Sequence, residues 1–283
     1  MKSNTWLLDH AHDITSQNGE DGVIAKTLET IGEGDRWCVE FGAWDGKLFS
    51  NTYNLINNLG YSGVLIEGDS RKWREVRDLY ASRSDVITLN QFVGFSETDN
   101  LDTILADTSI PQNFDLLSID IDGNDFHVWD AMRSYQPKVV CVEFNPTIGN
   151  EVSFVQPRDM SVSQGSSLKA FTEMARQKGY ELIAVTDCNG IFVDAKYFDR
   201  FEIQDNSLGA LRSNNNYAME MFVGFDGTVF LRGNRHLTWH GIEINEASLQ
   251  TLPKVLRQMP DRYNKLQRFL FKWYKRMHHR KAA

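Results

Sequence analysis

The sequence has little cysteine and contains no long run of apolar residues. Three cysteines, at positions 38, 141 and 188, are an odd number without paired spacing. Cys38 and Cys141 fall inside apolar stretches, so we expect buried, reduced thiols in a cytoplasmic protein. No segment approaches the roughly 20 apolar residues that a membrane-spanning helix needs. The first residues also lack the apolar core of a signal peptide.

Positive charge is scarce over most of the chain. The net charge is −8, yet residues 252–283 hold ten Lys or Arg and one acid. That segment is therefore +9, which leaves −17 for residues 1–251. An acidic body argues against general nucleic-acid binding, so we expect no nucleic-acid partner.

Short apolar runs alternate regularly with helical patterns. The first five runs are almost continuously apolar, which is typical of parallel strands buried on both faces. The last two runs are separated only by Cys188-Asn189-Gly190, a hairpin turn that makes them antiparallel. The predicted strands span residues 37–43, 62–68, 85–94, 114–122, 138–145, 180–187 and 191–198. The sequence thus predicts an α/β fold with a mostly parallel seven-stranded sheet and an antiparallel last hairpin strand.

Polar residues follow the predicted strands, at the edge where open α/β sheets bind ligands. The first strand ends at Glu40 and a Gly42-x-x-x-Gly46 turn, whose glycines let the backbone approach a ligand. Glu67 closes the second strand, where a carboxylate can bind both ribose hydroxyls. The first loop is acidic, whereas a pyrophosphate favours bare amides. These features favour S-adenosylmethionine over NAD; the alternative is that Gly-x-x-x-Gly is a chance turn.

Several segments in order resemble FkbM-like S-adenosylmethionine-dependent methyltransferases. They are SQNGEDGVI at 16–24, VEFGAWDG at 39–46, GVLIEGD at 63–69, LLSIDIDGND at 116–125 and the closing hairpin at 179–193. The resemblance covers about residues 14–200 and implies a Rossmann-like class I methyltransferase fold. Asp122 and Asp125 depart from the family, in which Glu is commoner, and Trp44 replaces a small polar residue.

The resemblance also implies which residues contact S-adenosylmethionine. Those at the methionine end are Glu40, Gly42, Ala43 and Gly46. Glu67 holds the ribose, and the residues on the adenine side are Gly68, Asp69, Gln91 and Phe92. Further contacts come from Gln17, Asn51 and Asp120.

Acids after the fourth and fifth strands are the predicted catalytic residues. A hydroxyl that attacks a methyl group benefits from precise positioning and from a base or a metal. Asp120, Asp122 and Asp125 fall within six residues, with Glu143 and Asn145 on the neighbouring strand, and these hard oxygens suit Mg²⁺ or Ca²⁺. The predicted metal ligands are Asp120, Asp122 and Asn145, and the resemblance implies that a metal grips a sugar diol. The alternative is that Asp120 contacts the cofactor while Asp125 caps the next helix.

His127, just past these acids, is the predicted base, beside the catalytic carboxylates Asp120 and Asp122. The alternatives are a surface role for His127 and a base supplied by His236 or His240. Residues 157–167 are small and polar, which predicts either a substrate-side loop or an ordinary surface loop.

The C-terminal segment predicts an amphipathic helix. Apolar residues share one helical face at Leu266, Phe269, Leu270, Trp273, Tyr274 and Met277. Basic residues surround that face at Lys265, Arg268, Lys272, Lys275, Arg276 and Arg280. Such a helix can lie on an anionic membrane surface or pack on the body or on a dimer partner. We therefore expect a methyltransferase domain over residues 1–225 and a basic extension over 226–283.

The expected function is S-adenosylmethionine-dependent O-methylation of a sugar hydroxyl on a glycan or glycosylated metabolite, in the cytoplasm or at the cytoplasmic membrane face. An NAD-linked sugar oxidoreductase is the first alternative, which the acidic first loop disfavours. The second is a non-catalytic, membrane-docked protein that binds S-adenosylmethionine.

Overall fold

The computed structural model describes residues 2–32, 34–212 and 214–281. Its contacts divide the chain into two compact units, Met1–Asn215 and Asn216–Ala283. The division falls before the predicted boundary at 225/226, because a hairpin of two short strands begins at Met219 and belongs wholly to the second unit.

The first unit is built on one seven-stranded sheet. Its strands are β1 Trp37–Phe41, β2 Ser62–Ile66, β3 Val86–Leu89, β4 Leu116–Ile119, β5 Val139–Glu143, β6 Tyr180–Val185 and β7 Asn189–Asp194. Their order is β3-β2-β1-β4-β5-β7-β6, and β7 is antiparallel to both neighbours. This is the class I methyltransferase arrangement, so the predicted fold is confirmed.

Seven helices of the first unit are described. They are α1 Glu20–Ile31, α2 Tyr53–Asn58, α3 Ser70–Leu79, α4 Leu101–Ala106, α5 Asp125–Ala131, α6 Leu168–Gln177 and α7 Leu208–Leu211. Ser167 caps α6 by accepting from the Ala170 amide. The sequence prediction did not include α1, whose buried residues Val23, Ile24, Thr27 and Ile31 recur at helical spacing.

The sheet forms the centre of the hydrophobic core. Trp129 of α5 packs against Phe171 of α6, Tyr180 of β6 and Phe192 of β7, with ring centroids 5.3–6.4 Å apart. Cys38 and Cys141 are buried in β1 and β5, and all three cysteines are free thiols. The predicted burial of Cys38 and Cys141 is therefore confirmed.

The second unit consists of two hairpins and a long helix. The hairpins pair β8 Met219–Val223 with β9 Val229–Gly233 and β10 His236–Leu237 with β11 Ile242–Glu243. Helix α8 spans Lys265–Lys281, so the predicted tail helix is present. His236 and His240 are exposed residues of this unit, and a role for either in catalysis stays a prediction. Over the described ranges, every helix is too short or too polar to cross a bilayer.

Candidate functional site

The loops after β1 and β4 touch at a single close contact. Gly42 has a left-handed φ of +73°, and a Cβ placed there would lie 2.0 Å from the backbone oxygen of Asp120. Only glycine allows this approach without displacing one of the two loops. The contact joins the Gly-x-x-x-Gly turn to the first acid of the predicted catalytic cluster.

Glu40 of β1 holds the far end of the same turn. Its Oε2 accepts hydrogen bonds from Ser50 Oγ at 2.6 Å and Thr52 Oγ1 at 2.7 Å, and its Oε1 accepts from the Asn51 amide at 2.8 Å. Burial raises the pKa of Glu40, and these hydrogen bonds oppose that rise. Since both oxygens are bound to the loop, Glu40 positions the predicted methionine end instead of presenting a free carboxylate.

The neighbouring cofactor candidates of this loop also have structural partners. Asn51 Nδ2 donates to Ser118 Oγ at 3.1 Å, beneath the loop. The Ala43 amide donates to the Ile66 carbonyl at 3.2 Å, and the Gly46 carbonyl accepts from Tyr80 Oη at 3.3 Å. These contacts fix the path of the turn between β1 and α2.

Glu67 connects the first loop to the end of β2. Its Oε2 accepts from the Trp44 amide at 2.8 Å, and its Oε1 accepts from the Asp69 amide at 2.7 Å. The residue is only 8% exposed, yet it lines a cavity. A carboxylate has about four acceptor positions, so each oxygen retains one for a ligand hydroxyl.

That cavity has a volume of about 220 Å³ and lies at the carboxyl ends of the strands. It brings together five of the predicted cofactor residues: Gly42, Glu67, Gly68, Gln91 and Phe92. The Phe92 ring packs over Gly68 and is 75% exposed. The other residues that line the cavity are Phe41, Ile66, Val93, Ile121, Gly123, Asn124, Met160 and Ser163.

A larger cavity of about 890 Å³ lies at the opposite edge of the sheet. Its lining includes Arg36, Tyr61 and Asp115, which immediately precede β1, β2 and β4. Because ligands of open α/β sheets bind beyond the carboxyl ends of the strands, size does not make this second cavity the cofactor site.

Seven of the twelve predicted cofactor residues lie outside the lining of the smaller cavity, and Asp69 and Gln17 are two of them. Asp69 caps α3 by accepting from the Arg71 and Lys72 amides, and hydrogen bonds from Arg71 lower its pKa to about 2. Gln17 is exposed. Its segment is anchored instead by Asp21, whose Oδ2 accepts from the amides of Ile14, Thr15 and Ser16 at 2.7–2.9 Å.

An acidic cluster adjoins the Gly42 contact and consists of Asp120, Asp122 and Glu143. Each residue offers a carboxylate oxygen, and the three atoms lie within 4.8 Å of one another. Asp120 is reached by solvent at the cleft, although surrounding protein removes much of its hydration. This burial, reinforced by neighbouring carboxylates, raises the pKa of Asp120 to about 8 and that of Glu143 to about 10. The cluster therefore favours binding either a proton or a cation.

Asn145 does not offer the oxygen that the predicted metal site requires. Its Oδ1 accepts from the Thr147 amide at 2.9 Å and from Thr147 Oγ1 at 2.6 Å, while its Nδ2 donates to the Gln164 carbonyl at 2.7 Å. Glu143 stands with the two aspartates in its place. Asp125 accepts from the Ile121 and Gly123 amides, so it fixes the loop that carries Asp122.

His127 supports a loop that lines the 220 Å³ cavity. We call residues 156–165 the strap. His127 Nε2 lies 2.9 Å from the Gln156 carbonyl, which requires a proton on that nitrogen. The His127 ring packs edge-on against Phe95 and Phe126, with centroids 5.8 and 5.6 Å away. This nitrogen is thus a donor to the strap and is not free to act as the predicted base.

The strap is fastened at several points. Asn124 Nδ2 donates to the Asp159 carbonyl at 3.0 Å, and an Arg158 guanidinium nitrogen donates to the Phe95 carbonyl at 2.7 Å. Met160 and Ser163 line the 220 Å³ cavity. The loop predicted over 157–167 therefore forms part of the wall of this cavity, and its role toward a substrate stays a prediction.

Comparison with known proteins finds likeness at the level of fold. No family model and no curated protein matches the sequence. The N-terminal domain of EvdMO1, crystallised with SAH bound, is 10% identical over 64% of this chain and 82% of that chain, with a TM-score of 0.41. Monomeric WbdD is 17% identical over 67% and 43%, with a TM-score of 0.41. The CcbJ methyltransferase from Streptomyces caelestis is 12% identical over 62% and 94%, with a TM-score of 0.38.

Proposed function

We propose that the chain is an FkbM-like, S-adenosylmethionine-dependent O-methyltransferase whose acceptor is a sugar hydroxyl. The position of Asp120 is the main observation that supports this proposal. Its backbone oxygen contacts Gly42, which lines the Glu67 cavity, and its side chain belongs to the acidic cluster. A nucleoside site and a site that can accept a proton are therefore adjacent, as methyl transfer to oxygen requires.

The cavity suits an adenosine without phosphates. Glu67 offers two acceptor positions for ribose hydroxyls, and the exposed Phe92 ring offers an apolar surface for a base. Asp45 lies on the first loop, and its Oδ1 accepts from the Lys47 and Leu48 amides. These amides are therefore unavailable to a pyrophosphate, which argues against a dinucleotide.

In the proposed reaction, the acceptor oxygen attacks the methyl carbon of the sulfonium. The new O–C bond forms as the C–S bond breaks, and sulfur keeps the electron pair. The hydroxyl proton passes to a carboxylate of the acidic cluster, whose raised pKa matches a base working near neutral pH. Holding the two reactants in line supplies much of the rate enhancement.

The same three carboxylates fit a hard divalent cation. Asp120, Asp122 and Glu143 supply only oxygen atoms, which Mg²⁺ prefers, and their mutual repulsion would be relieved by positive charge. When bound, such an ion would lower the pKa of the acceptor hydroxyl. Oxygens of Asp120 and Glu143 lie within 4.8 Å of each other, so a proton on either carboxylate would relieve the same repulsion when no cation is bound.

Two exposed aromatic side chains support a sugar as the acceptor. Trp44 and Phe49 lie on the loop after β1, are 49% and 52% exposed and have positive φ values of 49° and 61°. Bulky residues in this conformation cost about 1 to 3 kcal/mol each and cluster at functional sites. The C–H face of a sugar ring is apolar, so it can pack on an aromatic side chain of this loop.

The test is methyl transfer from labelled S-adenosylmethionine to a panel of sugars and glycans, with and without chelator. Label in a sugar and formation of S-adenosylhomocysteine are the expected results. S-adenosylhomocysteine binding without turnover on any acceptor would favour the non-catalytic alternative. Thermal stabilisation by NAD but not by S-adenosylhomocysteine would favour the oxidoreductase. Full turnover after exhaustive chelation would exclude the cation and leave the carboxylates as the base.

A further inference from the structure

Helix α8 has one face packed within the second unit. The Phe271 ring lies 5.4 Å from the Tyr263 ring, and Gln267 Nε2 donates to the Val255 carbonyl at 2.9 Å. Tyr274 Oη also donates to the Thr251 carbonyl. These contacts fix the rotation of the helix about its axis, and they assign Tyr274 to the packed face.

The opposite face presents an apolar stripe to solvent. Leu266, Phe269, Trp273 and Met277 recur at helical spacing and are 65%, 67%, 56% and 45% exposed. We call these four residues the tail stripe. A row of large exposed apolar side chains on one helix face marks an interaction surface.

Charge identifies the kind of surface that the tail stripe would meet. Exposed basic residues lie along the helix at Lys265, Arg268, Lys272, Lys275 and Arg276. In the part of the chain that the structure describes, none of these five forms an ion pair, and the helix sequence contains no acid. Residues 216–283 hold twelve Lys or Arg and five Asp or Glu, a net charge of +7. A second copy would bring two cationic units together, whereas an anionic surface would attract both charge and stripe.

We propose that α8 lies in the plane of an anionic lipid surface. The tail stripe enters the boundary between headgroups and acyl chains, and the flanking Lys and Arg contact lipid phosphates. Apolar burial and attraction of basic residues to anionic lipid together give this mode of binding. The inference is independent of the proposed catalytic function, since the residues that carry it all belong to the second unit.

The experiment uses the full chain and co-sedimentation with phosphatidylcholine vesicles, either pure or containing one quarter phosphatidylglycerol. We expect binding to the anionic vesicles at about 50 mM salt and release at about 500 mM, because salt screens the attraction. The triple variant Lys272→Glu, Lys275→Glu, Arg276→Glu should bind about a hundredfold more weakly, since each basic residue contributes roughly 1 kcal/mol. Equal binding to neutral and anionic vesicles would overturn the proposal.

The stripe itself is tested by Phe269→Ser combined with Trp273→Ser, against Phe225→Ser as the matched control. Phe225 is 95% exposed in the same unit but lies on the β8–β9 turn beside Asp226. We expect the stripe variant to lose at least tenfold in vesicle binding and the control to retain it. Melting temperature and S-adenosylhomocysteine binding, measured on each variant, separate this result from unfolding and from the cofactor site. No loss in the stripe variant, or conversion of a dimer to a monomer on size exclusion, would overturn the membrane assignment.

Discussion

The backbone oxygen of Asp120 occupies the space that a side chain at Gly42 would need. A Cβ at residue 42 would lie 2.0 Å from that oxygen, on a backbone with φ of +73°. The two loops can therefore approach only because residue 42 is glycine, and this approach brings the cavity and the acidic cluster together.

Gly42→Ala should separate the loops. We expect a loss of about 1 to 3 kcal/mol in stability, from the strained φ, and weaker binding of S-adenosylhomocysteine. Thermal unfolding and calorimetry measure the two effects. Gly209→Ala is the control, because a Cβ there meets nothing within 4 Å and the residue lies in α7. Equal effects of the two substitutions would contradict the role assigned to Gly42.

Glu67→Ala should weaken S-adenosylhomocysteine binding by about 1 to 3 kcal/mol, the typical loss of hydrogen bonds to a charged group. Because Glu67 also fastens the Trp44 and Asp69 amides, Glu67→Gln is needed to separate charge from support. Glu29→Ala, at an exposed acid of α1 paired with Lys26, is the control. Unchanged affinity in Glu67→Ala would remove the ribose assignment.

Glu143→Gln should stabilise the metal-free protein at alkaline pH. Burial raises the pKa of Glu143 from 4.5 to about 10, so the folded state binds more protons than the unfolded state. The contribution of Glu143 to wild-type stability is then fully present below about pH 4.5 and is lost as pH rises toward 10. We expect the variant to melt a few degrees higher at pH 8 to 9, since about 1 kcal/mol shifts the melting temperature by roughly 2 to 4 °C.

The measurement is a series of melting curves from pH 5 to 9 with chelator present. Glu29→Gln should follow the wild-type pH dependence, because Glu29 is a surface residue. If Glu143→Gln melts at the wild-type temperature throughout, the carboxylates do not repel one another in the folded protein.

His127→Gln should retain most of the activity. The Nε2 amide of Gln reaches about as far as the imidazole Nε2 and can donate to the Gln156 carbonyl, so the strap keeps its anchor. A catalytic base would instead contribute about 10² to 10⁴ in rate, and neither Gln nor Ala could replace it. Turnover rates of His127→Gln and His127→Ala decide between the roles: comparable losses beyond a hundredfold in both would restore histidine as the base.

Trp44→Ala should raise the KM for the acceptor about tenfold or more and leave S-adenosylhomocysteine affinity within twofold. The ring is half exposed, whereas the Trp44 backbone amide, which bonds to Glu67, is retained. Leu79→Ala, at an apolar side chain 42% exposed on α3, is the control. A change in cofactor affinity without a change in acceptor KM would show that Trp44 contacts the cofactor and not the acceptor.

The sheet was predictable from sequence because its strands are buried on both faces and read as apolar runs. The apolar runs extended past the ends of the observed strands. The strand predicted over 37–43 ends at Phe41, where the first loop begins. The roles of polar residues in the loops were harder to predict. Asp69 and Asn145 are residue types that often contact ligands, but here they accept hydrogen bonds from nearby amides in local turns. Sequence alone does not show which nearby amides a carboxylate or amide side chain will meet.

Glu143 belonged to the predicted group of hard-oxygen residues but not to the three predicted metal ligands. Ile119 of β4 pairs with Val142 of β5, so the next residues, Asp120 and Glu143, leave the sheet side by side. Parallel register, applied to the predicted strands, would have selected Glu143 over Asn145. The acids Glu20 and Asp21 carried a comparable signal, because acids in a first turn mark a helix N-terminus.

The strap is held mainly through its main chain. Asn124 bonds to the Asp159 and Val162 carbonyls, His127 to the Gln156 carbonyl, and Gln156 Oε1 to the Gln164 and Gly165 amides. The side chains of Met160 and Ser163 take no part in these anchoring hydrogen bonds. Substitutions at these two positions can therefore change the shape of the cavity that they line, while Asn124, His127 and Gln156 keep the strap in place.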